Sequence, residues 1–172
     1  MAGEPRLGID IGRVIMAPVQ GGKADTSFLS GGWEQAMLTP PSPGAFDGVR
    51  MLVAAFGGQV WLVSKAGETV QRKTLAWLEH WDFYRLTRLP PDHVRFCLKR
   101  PDKADHCREL GITHFIDDRL DVLEHLRGLA AHLYLFGEQA GEIPGWVTHV
   151  RDWTEAMEAV LRSAAPPECN PF

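Results

Sequence analysis

Apolar and polar positions follow two different rhythms along this chain. Short apolar runs rich in β-branched and aromatic residues recur as "RLGID", "QVWLVS", "VRFCL", "THFID" and "HLYLF". Each has the length of a strand, and such continuous runs suit a sheet covered on both faces. Between them the apolar residues return at helical spacing. "AFDGVRMLVAAF" sets Phe46, Val49, Val53 and Phe56 on one face, and "ETVQRKTLAWLEHW" does the same with Val70, Leu75, Leu78 and Trp81. "DKADHCREL", "RLDVLEHLRGLA" and "WTEAMEAVLRSA" supply three further helices. Strands that alternate with amphipathic helices predict an α/β fold, built from right-handed βαβ units around a mostly parallel sheet.

Two segments depart from the alternation. Residues 16–44 are rich in Gly, Pro and Ser and carry no sustained period, so they are expected to form a functional loop with at most one short helix, within "GGWEQAML". The last residues, "APPECNPF", read as a loose tail over 165–172. The remainder, 1–164, is expected to be one domain, since 172 residues suffice for a single core.

Composition narrows the partners. With 45% hydrophobic and 23% charged residues the chain is ordinary for a globular protein. A net charge of -4 and a pI near 6.0 speak against a general nucleic-acid surface, although "KRPDK" has the charge to hold one phosphate. Three scattered cysteines (Cys97, Cys107 and Cys169) fit neither a disulfide framework nor a zinc site, and Cys97 reads as a packed residue. The seven histidines have no metal-ligand spacing. No run approaches membrane-spanning length and "MAGEPR" lacks a signal-peptide core, so a cytoplasmic location is expected.

In an open parallel sheet ligands bind beyond the carboxyl ends of the strands, so the residues that finish each run carry the chemistry. The first run ends in Asp10 and the second in Ser64, followed by Lys65. The stretch after the third holds Lys99, Arg100 and Lys103, and the fourth ends in Asp117 and Asp118. Carboxylates gathered at one edge repel one another unless a cation sits among them, and oxygen-only ligation of that kind suits Mg²⁺. A hydroxyl and a lysine facing the same point complete a phosphoryl-transfer set. Each residue also has a plainer role open to it. Asp10 suits a turn or helix cap, Asp117 can cap a helix beginning near Arg119, and "SKAGE" reads as a turn.

Four stretches in order, "GIDIGRVI", "VWLVSKAG", "RPDKADHCRELGI" and "HFIDDRLDVLEHL", resemble the motifs of the haloacid dehalogenase-like (HAD) superfamily of phosphatases and phosphotransferases. The stretch from Gln59 to Leu126 is similar to the small deoxyribonucleotidase-like branch. The resemblance implies a Rossmann-like three-layer sandwich with a minimal cap. It implies Asp10 as nucleophile and metal ligand, and the Gly12 carbonyl as a second ligand. Ser64 would hydrogen-bond the phosphoryl group, and Lys103 would offset its charge. Asp118 would be the main metal ligand of the fourth motif, with Asp117 binding directly or through water and Asp121 behind them. The cofactor implied is Mg²⁺. Arg13 and Lys65 are candidates to contact substrate. Trp33, in the loop, suits either a stacking lid or a structural anchor.

One position departs from the family pattern. Gly12 stands where the first motif carries a second Asp, the acid that protonates the leaving group and later activates water. General acid–base help of that kind is worth ~10²–10⁴-fold. The expectation is a phosphohydrolase acting through an aspartyl-phosphate at Asp10, whose leaving group needs no acid or whose acid comes from Asp25 or Glu34. The alternative is a weak or inactive module on the same fold that binds a phosphorylated ligand or a protein partner. A minimal cap leaves the site open to a phosphorylated small molecule or a carrier-bound phosphate, or to closure by a second subunit in a homodimer.

Overall fold

The computed structural model describes residues 3–17, 28–29 and 31–165. Six strands form one sheet: β1 (Leu7–Ile9), β2 (Val60–Lys65), β3 (Val94–Cys97), β4 (His114–Asp117), β5 (His132–Phe136) and β6 (Thr148–Val150). Their order is β3-β2-β1-β4-β5-β6 and every pairing is parallel. The helices are α1 (Trp33–Met37), α2 (Ala45–Ala55), α3 (Glu68–His80), α4 (Phe83–Thr87), α5 (Lys103–Leu110), α6 (Leu120–His125) and α7 (Trp153–Ala164). Five strands fall in the five apolar runs. The sixth, "THV", was not foreseen.

Side chains alternate across the sheet and split the core in two. Leu7, Ile9, Leu62, Ile116 and Tyr134 point to the face covered by α2, α3, α4 and α7. Trp61, Val63, Phe115, Leu133 and Leu135 point to the face covered by α5 and α6. The result is a three-layer Rossmann-like sandwich. Gly8 lacks a side chain because the Phe115 ring lies over it, where a Cβ would come within 2.5 Å of the ring. Cys97 and Cys107 are buried free thiols, as packing residues should be. Burial pushes the Cys107 thiol up to about 12, far from a reactive range.

The face that α3 buries differs from the expected one. Leu78 is buried and Val70 and Trp81 pack against the core as expected, but Leu75 is 40% exposed, and Lys73, Thr74 and Trp77 turn inward in its place. The reason is the segment after β1, which packs on this helix and on α7. The Trp77, Trp81 and Trp153 indole N–H groups donate to the carbonyls of Thr39, Met37 and Val14 at 2.8, 3.1 and 2.8 Å. The base of the segment is closed by an antiparallel bridge between Met16 and Pro41. The short helix expected in "GGWEQAML" is α1. Asp25, Cys169 and the tail from 166 onward lie outside the described residues. Among the described residues no helix is long and apolar enough to cross a membrane.

Candidate active site

The sheet itself assembles the polar cluster. Parallel register sets Ile9 beside both Leu62 and Ile116, so Asp10 and Asp117 leave neighbouring strands side by side. The Asp10 N–H donates to the Ile116 carbonyl at 2.9 Å, which extends the ladder into the site. Lys103 opens α5 and is only 2% exposed. Its ammonium donates to Asp10 Oδ1 at 2.9 Å and to Asp117 Oδ2 at 2.7 Å. Lys99, the competing lysine, is exposed. Burial pulls the Lys103 pKa down, but Asp10 and Asp117 together outweigh it and hold the ammonium above its usual range.

Asp10, Asp117 and Asp118 each bring a carboxylate oxygen within 4.8 Å of the others. Burial, and next the Asp10 charge, push Asp117 well up and Asp118 up to about 7. Negative charge is crowded here, and a divalent cation would relieve it. Asp117 is fully buried, and its oxygens are engaged by Lys103 and, at 3.0 Å, by the Arg119 N–H. The contact with the Arg119 N–H braces the turn before α6, and Asp117 does not cap the helix, whose N-cap residue is Arg119. Asp118 is partly exposed and lines the cavity above.

That cavity measures about 260 Å³. Asp10, Gly12, Arg13, Ser64, Lys65, Lys103 and Asp118 all line it. Arg13 lies within a tight turn in which the N–H groups of Val14, Ile15 and Met16 reach back to the Ile11 carbonyl. It takes a left-handed backbone conformation with φ of 62°, a strained state for a non-glycine residue. Gly12 needs no such freedom, and a Cβ there meets nothing within 4 Å. Trp33 does not line the cavity: it begins α1 and is 49% exposed. Glu34 is likewise exposed and outside the lining. Asp121 is an exposed residue that grips Arg119 at 3.0 and 3.2 Å, and Arg119 in turn lines the cavity.

Sequence reasoning passed over several of the lining residues. Arg100 entered only as part of the basic "KRPDK" spot, and Arg119, though it stands in a quoted motif, was given no role. Met16, Ala17, Phe28, Leu29 and Thr39 come from the aperiodic segment, where only a folded loop reveals what faces inward. Lys73 went unremarked, since a lysine in an amphipathic helix ordinarily faces water. Here it is 5% exposed and binds that segment's carbonyls.

No family model matches the sequence, and no curated protein sequence matches it. Solved structures do. A D,D-heptose bisphosphate phosphatase from B. bronchiseptica, complexed with magnesium and phosphate, superposes with a TM-score of 0.66 at 14% identity, over 92% of this chain and 99% of that one. A haloacid dehalogenase-like hydrolase from Burkholderia xenovorans LB400 gives 0.59 at 13% identity, over 94% and 99%. One from Xanthomonas campestris gives 0.52 at 12%, over 94% and 97%. Likeness at such low identity speaks to architecture, and the fold of this chain is that of the haloacid dehalogenase-like hydrolases.

Proposed function

We propose that the chain is a Mg²⁺-dependent phosphohydrolase that works through an aspartyl-phosphate at Asp10. The observation that carries this function is the Lys103 ammonium bridging Asp10 and Asp117 at the strand ends, with Ser64 and Asp118 lining the same cavity. The crowded carboxylates fit a hard divalent cation: Asp10, Asp118 and the Gly12 carbonyl would hold Mg²⁺, with Asp117 beside them. When bound, the ion supplies charge neutralisation at the phosphoryl oxygens.

The chain's own residues do the rest. Lys103 occupies one oxygen of Asp10, and the other attacks phosphorus while the ester P–O bond breaks. Ser64, Lys65 and Arg13 hold the phosphoryl oxygens. Gly12 offers no proton, so the departing oxygen leaves as an anion or takes its proton from water. Water then attacks phosphorus, releasing phosphate and restoring Asp10. Of the two surrogate acids, Glu34 is exposed and away from the cavity. The bare Gly12 position also favours a second function, a module that holds a phosphorylated ligand without turnover. A panel of phosphate esters with Mg²⁺ separates the two. Hydrolysis by wild type that Asp10→Asn abolishes is expected; equal release from both proteins would end the enzyme proposal.

A further inference from the structure

The cavity over the carboxylates has two unlike halves. Its floor is polar, made by Asp10, Ser64, Lys103 and Asp118. Its wall is apolar, made chiefly by Met16, Phe28, Leu29 and Val122. Phe28 is buried while Leu29 is 55% exposed, so the wall runs from the interior out to the mouth. Lys73 reaches this wall from behind. Its ammonium, 5% exposed, donates to the carbonyls of Gly31, Phe28 and Leu29 at 2.6, 3.2 and 3.5 Å. Burying an ammonium is costly unless donors and acceptors match, and these acceptors all belong to the stretch that carries Phe28 and Leu29.

Building on the proposed hydrolase, we propose that Phe28 and Leu29, positioned by Lys73, form the leaving-group wall of the site and select small phosphate esters of a flat apolar ring. Two independent features agree on this class. An apolar wall leaves the hydroxyls of a sugar or polyol without partners, which costs binding, whereas an apolar ring packs against it. The absence of an acid at Gly12 likewise suits a phenolate, which departs without a proton far more readily than an alkoxide. A volume of about 260 Å³ has room for a phosphate and one ring.

Phosphonates test the wall apart from the chemistry, because their P–C bond is not hydrolysed. With Mg²⁺ present, calorimetry on the wild-type chain should find phenylphosphonate bound at least about tenfold tighter than methylphosphonate. Leu29→Asn, at an exposed position that folding tolerates, and Lys73→Met should both bring that ratio close to one. A lysine that merely stabilised the fold would weaken both ligands alike and leave the ratio untouched. Equal affinities in wild type, no binding of either phosphonate, or an unchanged ratio in either variant overturns the proposal. Ring preference without turnover of phenyl phosphate would sink the hydrolase and leave the wall standing. Turnover without ring preference would do the reverse.

Discussion

At the scale of single residues, Gly12 and Arg13 have exchanged the demands usually placed on them. The strained backbone falls on Arg13, while Gly12 has ordinary φ and open space around it. Gly12→Asp should therefore fold normally, with melting unchanged, and place a carboxyl two residues beyond Asp10. It should raise hydrolysis of an alkyl phosphate by ~10²-fold or more and that of an aryl phosphate far less, because the poorer leaving group gains more from a proton. Steady-state kinetics on the two esters checks this. His114 makes a different prediction. Its ring is 3% exposed, stacked on His132 at 4.3 Å and edge-on to Phe56. His114 Nδ1 lies 2.7 Å from Thr113 Oγ1, which itself donates to the Arg6 carbonyl. Burial, and then the nearby His132, lower its pKa to about 4. Between pH 6.5 and 4 the unfolded chain thus binds this proton more readily than the folded one, so His114's share of stability is present above 6.5 and lost as pH falls toward 4. Asp117 and Asp118, whose pKa values are raised, pull the other way. The comparison must therefore be with His114→Phe, whose melting temperature should fall less than that of wild type across this window.

Elements pack here through residues that look unremarkable in the sequence. Gly48 lets α2 approach α7, since a Cβ at that position would lie 2.5 Å from Cε3 of Trp153. Gly48→Ala is expected to destabilise the fold by about 1–3 kcal/mol through overpacking, read as a lower urea midpoint. It should also disturb the bond from Trp153 Nε1 to the Val14 carbonyl, and with it the turn that carries Arg13. Most elements were legible from pattern: five strands and the helices α2, α3, α5, α6 and α7 followed from apolar run and period, whereas α4, only five residues long, was not anticipated. The polar strand ends that meet at the cavity were legible too, because Asp10, Ser64 and Asp117–Asp118 interrupt apolar runs with a sudden polar group. The choice of Lys103 over Lys99 rested on the family resemblance and not on the pattern, since it depends on where α5 begins. β6 escaped because three residues, one of them an exposed Thr148, hold too little pattern. The inward turn of Lys73 escaped because its partners are backbone carbonyls, which leave no trace in side-chain identity.

For the whole molecule, a cation bound among the carboxylates favours the folded chain by mass action. Millimolar Mg²⁺ should raise the melting temperature of wild type by several degrees, and Asp118→Ala should show none of that gain; calorimetric scans with and without the ion decide it. The sheet order has one more implication, for how the chain reaches its native state. β1 is made first yet lies at the centre, bonded to β2 on one side and β4 on the other. Its hydrogen bonds to the β4 side join residues such as Arg6 and Thr113, 107 positions apart. Closing so long a loop is entropically slow, and Asp10 cannot meet Asp117 until it is done. Helical signal in a stopped-flow refolding trace should accordingly recover ahead of phosphonate binding. A ribosome-bound chain that ends before β4 would carry Asp10 and Ser64 but no site, since the partner carboxylates arrive only with the fourth strand.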